Sequence, residues 1–310
     1  MDVTNRVETE LLAQLERSGV ELAIANDAAR ETFSVLTADG LLLVSGRDLQ
    51  VLHEWRYPTS IKQRNGWGCH SIRSPDLLAL MSTPDAVQML EGEGSIRWSY
   101  DHASWAGIGS GCAWFDEAGR PFAVVPVGNG ECEIVQLDSA SGGVVAKNRI
   151  RLRDPAGMTP LHQGNGWIGV SESEGENAAR AWWVRGNELE SLHSRLEVIE
   201  ADWDSEELTD VGPRGNTVLT TALLGGRLAI RSFPGLGSLR NIDIEDEEFH
   251  LGACFVGSCV VARLYRRQIT VAIDFDNRLH ELEVGAGWLV PAANSWLEVT
   301  RTGLRRWALK

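Results

Sequence analysis

The chain has 310 residues, 43% of them hydrophobic, with 32 glycines and 12 tryptophans against seven phenylalanines and three tyrosines. Such a composition supplies a large core and excludes a disordered chain. A formal charge of −14 repels phosphate backbones, so a nucleic-acid partner is not expected, and no run of about 18 apolar residues offers a membrane span.

Residues 1–19 read as an N-terminal amphipathic α-helix. Within Asn5–Glu16, Val7, Leu11, Leu12 and Leu15 share one helical face at spacings of four, five and eight. The alternating acids and bases of this segment lack the apolar stretch of a secretory signal. The five cysteines, Cys69, Cys112, Cys132, Cys254 and Cys259, are odd in number and form no C-x-x-C pair. Buried free thiols in a cytoplasmic protein are the expectation.

From residue 20 onward the pattern changes to short apolar runs broken by tight turns. Seven times such a run reaches a turn residue and restarts, at Gly46, Gly94, Gly142, Gly186, Gly237, Asn277 and Gly303. The third repeat is the clearest: Gly111–Phe115, Pro121–Val127, Glu133–Leu137 and Val144–Ile150 form four strands in about 40 residues. Asp138 is placed to accept hydrogen bonds from the backbone of its own turn. A glycine followed three residues later by a ring recurs at Gly111/Trp114, Gly252/Phe255 and Gly285/Trp288, each time opening a repeat. Small residues where strands crowd an axis, with rings filling the space between sheets, suit radial packing. Isolated four-stranded sheets leave both faces bare, so the repeats are expected to pack on one another in a ring.

Ile134-Val135-Gln136-Leu137-Asp138-Ser139-Ala140-Ser141-Gly142 resembles the repeats of quinoprotein-like β-propellers, and Gly94-Ser95-Ile96-Arg97-Trp98 resembles the Gly-to-Trp segment that closes them. WD40 repeats are the neighbouring possibility, although their Gly-His openings and Trp-Asp closings are absent. The resemblance implies an all-β propeller over residues 20–310. Blade counting favours seven, with six as the alternative: residues 20–57 supply one, five follow, and residues 285–310 give an incomplete set. Ring closure is open, with Val20–Ala25 beside Leu304–Leu309 as one arrangement.

Propellers host enzymes and scaffolds alike, so function rests on the loops. Those leading from the outer strand of one blade to the inner strand of the next carry Trp67, Trp105, Trp203 and Asp204, an aromatic and acidic set suited to a basic protein or a cationic small ligand. For catalysis the candidates are His70, Asp101, His102 and His250, as acid–base or metal groups of a lyase, hydrolase or isomerase acting at the channel mouth. None of the histidines forms a His-x-His or His-Glu-x-x-His motif, and no nucleophile elbow is present, so neither a metal nor another cofactor is expected. A non-catalytic interaction or ligand-binding scaffold is therefore the first reading, and an enzyme the alternative.

Overall fold

The computed structural model describes residues 3–56, 67–105, 109–128, 131–151, 157–173, 179–186, 196–201, 203, 206–222, 225–245, 247–249 and 252–310. Two N-terminal strands, β1 (Val3–Val7) and β2 (Thr9–Glu16), precede the repeats. Blade 1 is β3 (Val20–Ala25), β4 (Thr32–Thr37), β5 (Gly40–Ser45) and β6 (Val51–Arg56). After the short β7 (Trp67–Cys69), blade 2 comprises β8 (Ser71–Arg73), β9 (Leu78–Ser82), β10 (Ala86–Glu91) and β11 (Ser95–Asp101). Blade 3 is β12 (Gly109–Phe115), β13 (Pro121–Gly128), β14 (Glu131–Leu137) and β15 (Val144–Arg151). Blade 4 is β16 (Gly157–Gly164), β17 (Trp167–Ser173), β18 (Ala179–Arg185) and β19 (Glu197–Glu200). Blade 5 is β20 (Glu206–Val211), β21 (Thr217–Ala222), β22 (Arg227–Ser232) and β23 (Ser238–Asp243). Blade 6 is β24 (Ala253–Val256), β25 (Cys259–Leu264), β26 (Ile269–Ile273) and β27 (Leu279–Leu282). Blade 7 has β28 (Trp288–Ala292), β29 (Ser295–Thr300) and β30 (Gly303–Leu309), with β2 as its fourth strand.

Each blade is an antiparallel meander, and seven is the blade number. The second and third strands explain why the blades must stack. Side chains alternate across a strand, and in β13 both sets are apolar. Phe122 and Val124 join an apolar cluster shared with blade 4, whereas Ala123 and Val125 join one shared with blade 2. In β9, Leu78 and Leu80 face blade 3, and Ala79 and Met81 face blade 1. Among the described residues there are seven such clusters, one at each blade-to-blade interface.

The turn residues occupy equivalent places in six blades. Gly46, Gly94, Gly142, Gly186, Gly237 and Asn277 lie between third and fourth strands, while Gly303 opens the third strand of blade 7. That seventh exception marks where the chain ends and the N-terminus takes over. The Asp138 carboxylate accepts from the amides of Ala140 (3.2 Å) and Ser141 (2.8 Å), and Asp274 repeats the device with Asp276 and Arg278. Gly111 is also where crowding demands it, since a Cβ there would lie 2.3 Å from the Val124 carbonyl.

The helix expected at the N-terminus is not formed. β2 pairs antiparallel with β30, and β1 adds in parallel to the outer edge of blade 6. Leu, Ala, Gln and Glu are good helix formers, so local propensity misleads here, and the unpaired edge of β30 overrides it. The strand period also fits the burial: Ala13 and Leu15 pack against the blade 7–blade 1 cluster, while Leu11 and Leu12 are each 44% exposed. Val20–Ala25 is the inner strand of blade 1, so it does not close the ring. A different strand, β7, pairs in parallel with β12 and lies against β16. It forms a fifth strand at the inner edge of blade 3, next to blade 4.

Gly303 has φ +147°, and a Cβ there would fall 2.0 Å from the Leu15 carbonyl of β2. Gly303→Ala is expected to lower the unfolding free energy by at least about 2 kcal/mol, read from the urea midpoint, since a backbone conformation of this kind alone costs about 1–3 kcal/mol in a non-glycine residue. An unchanged midpoint would show that β2 is not clamped on β30.

Candidate binding site at the channel

The inner strands surround a channel whose lining is asymmetric. Residues of β3, β16, β20 and β28, with Gly252, enclose a cavity of about 150 Å³. Its wall is largely apolar, through Leu22, Ile24, Leu161, Leu208 and Leu289, with Trp288 at one end. At the other end stand the turns between first and second strands. Two recesses open there, one of about 490 Å³ between blades 1 to 4 and one of about 370 Å³ between blades 1, 4, 5, 6 and 7.

Arg30, at the blade 1 turn with φ +58°, reaches across this end. Its guanidinium pairs with the fully buried Asp210 of β20 and donates to the carbonyls of Val211 (3.1 Å) and Ala292 (3.4 Å). Asp210 also accepts from the amides of Val211 and Phe255, each at 2.6 Å. One ion pair thereby ties together blades 5, 6, 7 and 1. Burial pushes the Asp210 carboxyl up, while Arg30 and the two amides pull it down.

His162 of β16 lines the cavity and both recesses, is buried, and has no hydrogen-bond partner at Nδ1. Burial pushes its imidazole down to about 4, against the pull of Asp27 and Asp116, so it is neutral near neutral pH. Asp27, on the blade 1 turn, lines the cavity and the larger recess. It accepts from Glu31 N (3.1 Å), Thr32 N (3.3 Å) and Thr32 Oγ1 (3.3 Å), and has no cationic partner among the described residues. Arg73 and Asp116, which also line the larger recess, are instead paired with Asp76 and Arg120.

The residues singled out from sequence fall elsewhere. Trp105 is 7% exposed and belongs to the core, its indole packed where a Gly111 side chain would have to go. Trp203 is half-buried, edge-on to Trp183 at 5.7 Å and beneath Arg231 at 4.7 Å. Arg231 in turn holds the buried Glu206 through bonds of 2.7 Å, so this indole caps an ion pair inside blade 5. Trp67 begins β7, and Asp204 and His250 lie outside the described residues.

His70 is buried, and its Nδ1 accepts from Ser82 N at 3.3 Å. His102 donates from Nδ1 to the Ala103 carbonyl at 2.7 Å, and burial lowers its pKa. Asp101 beside it is exposed. None of these three lines the cavity or the two recesses. Among the described residues, no group of three His, Cys, Asp or Glu side chains is arranged to hold a metal ion. Cys112, Cys132, Cys254 and Cys259 are free thiols; burial raises Cys132 to about 12 and Cys254 well above the usual range.

Sequence reading missed His162, Arg30 and the exposure of Trp288. His162 did leave a trace, since it stands just before the turn Asn165-Gly166 in the first strand of its repeat, where inward residues face the axis. Trp288 fits the glycine-to-ring spacing expected of a packed residue, yet it is 49% exposed at the channel mouth.

No protein-family model matches the sequence, and comparison with curated proteins finds no match. Solved structures do resemble it. The β-propeller domain of Cps50 (Swd1) from Myceliophteria thermophila aligns with TM-score 0.60 and 10% identity, over 97% of this chain and 100% of that one. The Pan2 WD40 domain of Neurospora crassa gives TM-score 0.58 and 9% identity, over 98% and 96%. A streptogramin B lyase gives TM-score 0.59 and 12% identity, over 97% of both chains. At these identities the likeness is one of fold: the chain is a seven-bladed β-propeller.

Two expected outcomes follow from the placements. Trp105→Ala is expected to cost about 3–5 kcal/mol of unfolding free energy, as for large core truncations, and a near-neutral result in urea would place the indole at the surface. For His162, the folded pKa of about 4 lies below the ordinary 6.5, so the unfolded chain binds the extra proton as pH falls between these values. Stability tied to this group is complete above pH 6.5 and lost on the way down to pH 4, by about 3 kcal/mol. His162→Leu is expected to flatten that part of the stability profile, and an unaltered slope would mean that the imidazole is already solvated.

Proposed function

We propose that the protein is a non-catalytic scaffold that presents the channel mouth and the loops between successive blades to a basic protein partner in the cytoplasm. The observation that carries this reading is Trp288, a half-exposed indole at the mouth. Exposed carboxylates of Asp101, Glu200 and Glu245 lie at or near the loops leading from one blade to the next. Trp67, Trp203 and Asp204 belong to the same surface in the reading from sequence. An indole flanked by carboxylates attracts Lys and Arg through the ring quadrupole and through charge. The net charge of −14 adds long-range attraction for a basic partner. The structural likeness to the Swd1 and Pan2 propellers is compatible with such a role.

Affinity capture from the native host, comparing the unaltered chain with Trp288→Ala and with Asp101→Asn/Glu245→Gln, tests the reading. The expected result is one partner lost from both variants at unchanged melting temperature, with capture weakened by added salt. A partner retained equally by all three chains would contradict it. The likeness to streptogramin B lyase supports an enzyme as the second reading, with His70, Asp101, His102 and His250 as its acid–base candidates.

A further inference from the structure

A second binding site follows from the channel interior, independently of the partner surface. The cavity is walled mainly by aliphatic side chains, but its charged groups do not balance. Arg30 is neutralised by Asp210, while Asp27 carries a negative charge with no cationic partner among the described residues. A carboxylate offers about four lone-pair sites, and the turn uses three of those at Asp27. His162 beside it is buried, with Nδ1 unpartnered. Buried polar atoms are nearly always hydrogen-bonded, so an unpaired one marks an interaction not yet made. The Asp27 carboxylate accepts hydrogen bonds and the neutral imidazole accepts at its unprotonated nitrogen, so a cationic donor suits both groups.

The rest of the wall sets the other half of the ligand. An apolar cavity of about 150 Å³ in another, engineered protein takes up a single benzene ring, and the channel cavity is of that size. Leu22, Ile24, Leu161, Leu208 and Leu289 would surround such a body, with Trp288 at the open end.

We propose that the channel binds a small primary amine with one aromatic or similarly compact apolar group, its ammonium held between Asp27 and His162 and its apolar body in the cavity. Desolvating an ammonium is costly unless it is paired, and Asp27 provides the pairing charge. The imidazole stays unprotonated at neutral pH and so does not repel the ligand.

Calorimetric titration of the full chain near neutral pH with benzylammonium, benzyl alcohol and benzoate tests the proposal. These probes share shape and differ in charge. The expected result is saturable binding of one benzylammonium per chain, with benzyl alcohol weaker by about tenfold or more and benzoate not bound. Asp27→Asn keeps an acceptor oxygen for the turn and is expected to erase the preference for the amine over the alcohol; its melting curve confirms folding. In the unaltered chain, the His162 ring resonances are expected to shift with benzylammonium, which gives a readout needing no variant. Absence of saturable amine binding, equal affinity for amine and alcohol, or an Asp27→Asn chain that keeps the preference would each overturn the site. Loss of protein capture in the Trp288→Ala or Asp101→Asn/Glu245→Gln chains bears on the partner surface alone.

Discussion

A strand with two apolar faces has to be covered on both sides, and in this chain the middle strands of the blades are of that kind. Phe122, Val124 and Ile134 point one way from blade 3, and Ala123, Val125 and Val135 the other. At about 25 cal/mol per Å² of apolar surface, leaving one face of one blade open forfeits many kcal/mol, comparable with the stability of a whole domain. No blade can therefore stand at an end. The ring is the arrangement that gives every blade two neighbours, and it requires the seventh sheet to be completed. β2 completes it by pairing with β30, so the first residues of the chain are bound to the last.

The channel is a consequence of that closure, and the axis is where the sequence spends its polar groups. Arg30 and Asp210 come from blades 1 and 5, yet they meet across one end and recruit backbone groups from blades 6 and 7. A buried pair of this kind is not by itself a large source of stability, because desolvation offsets much of the attraction. Its contribution is geometric: it fixes four blades around the cavity and cancels the charge of Arg30. Asp27, held by its own turn, is then left facing the cavity without a cationic partner among the described residues, and His162 without a partner at Nδ1.

The blade boundaries were legible because turn chemistry and two-sided apolar runs are local. Asp138 binding its own turn, and Gly111 crowded by Val124, follow from spacing alone. The N-terminal strand was not legible. Val7, Leu11, Leu12 and Leu15 fit a helical face, and only the empty edge of β30, some 290 residues away, selects the strand instead. Trp105 was misplaced for a related reason: its loop position suggested exposure, but its ring packs against Gly111, six residues further on. Arg30 and Asp210 lie 180 residues apart, and no local pattern pairs them. His162 was partly legible, since the first strand of a repeat faces the axis, but its lack of a partner is a property of the assembled channel.

Closure by β2 is the claim on which the ring and the channel both rest. Native-state hydrogen exchange resolved at single amides tests it most directly, by comparing the hydrogen-bonded amides of Thr9–Glu16 with those of Thr32–Thr37 and Pro121–Gly128 in the interior of blades 1 and 3. The account predicts that the β2 amides exchange with nearly the same free energy as the interior strands, because releasing β2 opens the ring. Exchange of β2 by local opening, several kcal/mol below the interior strands, would contradict it.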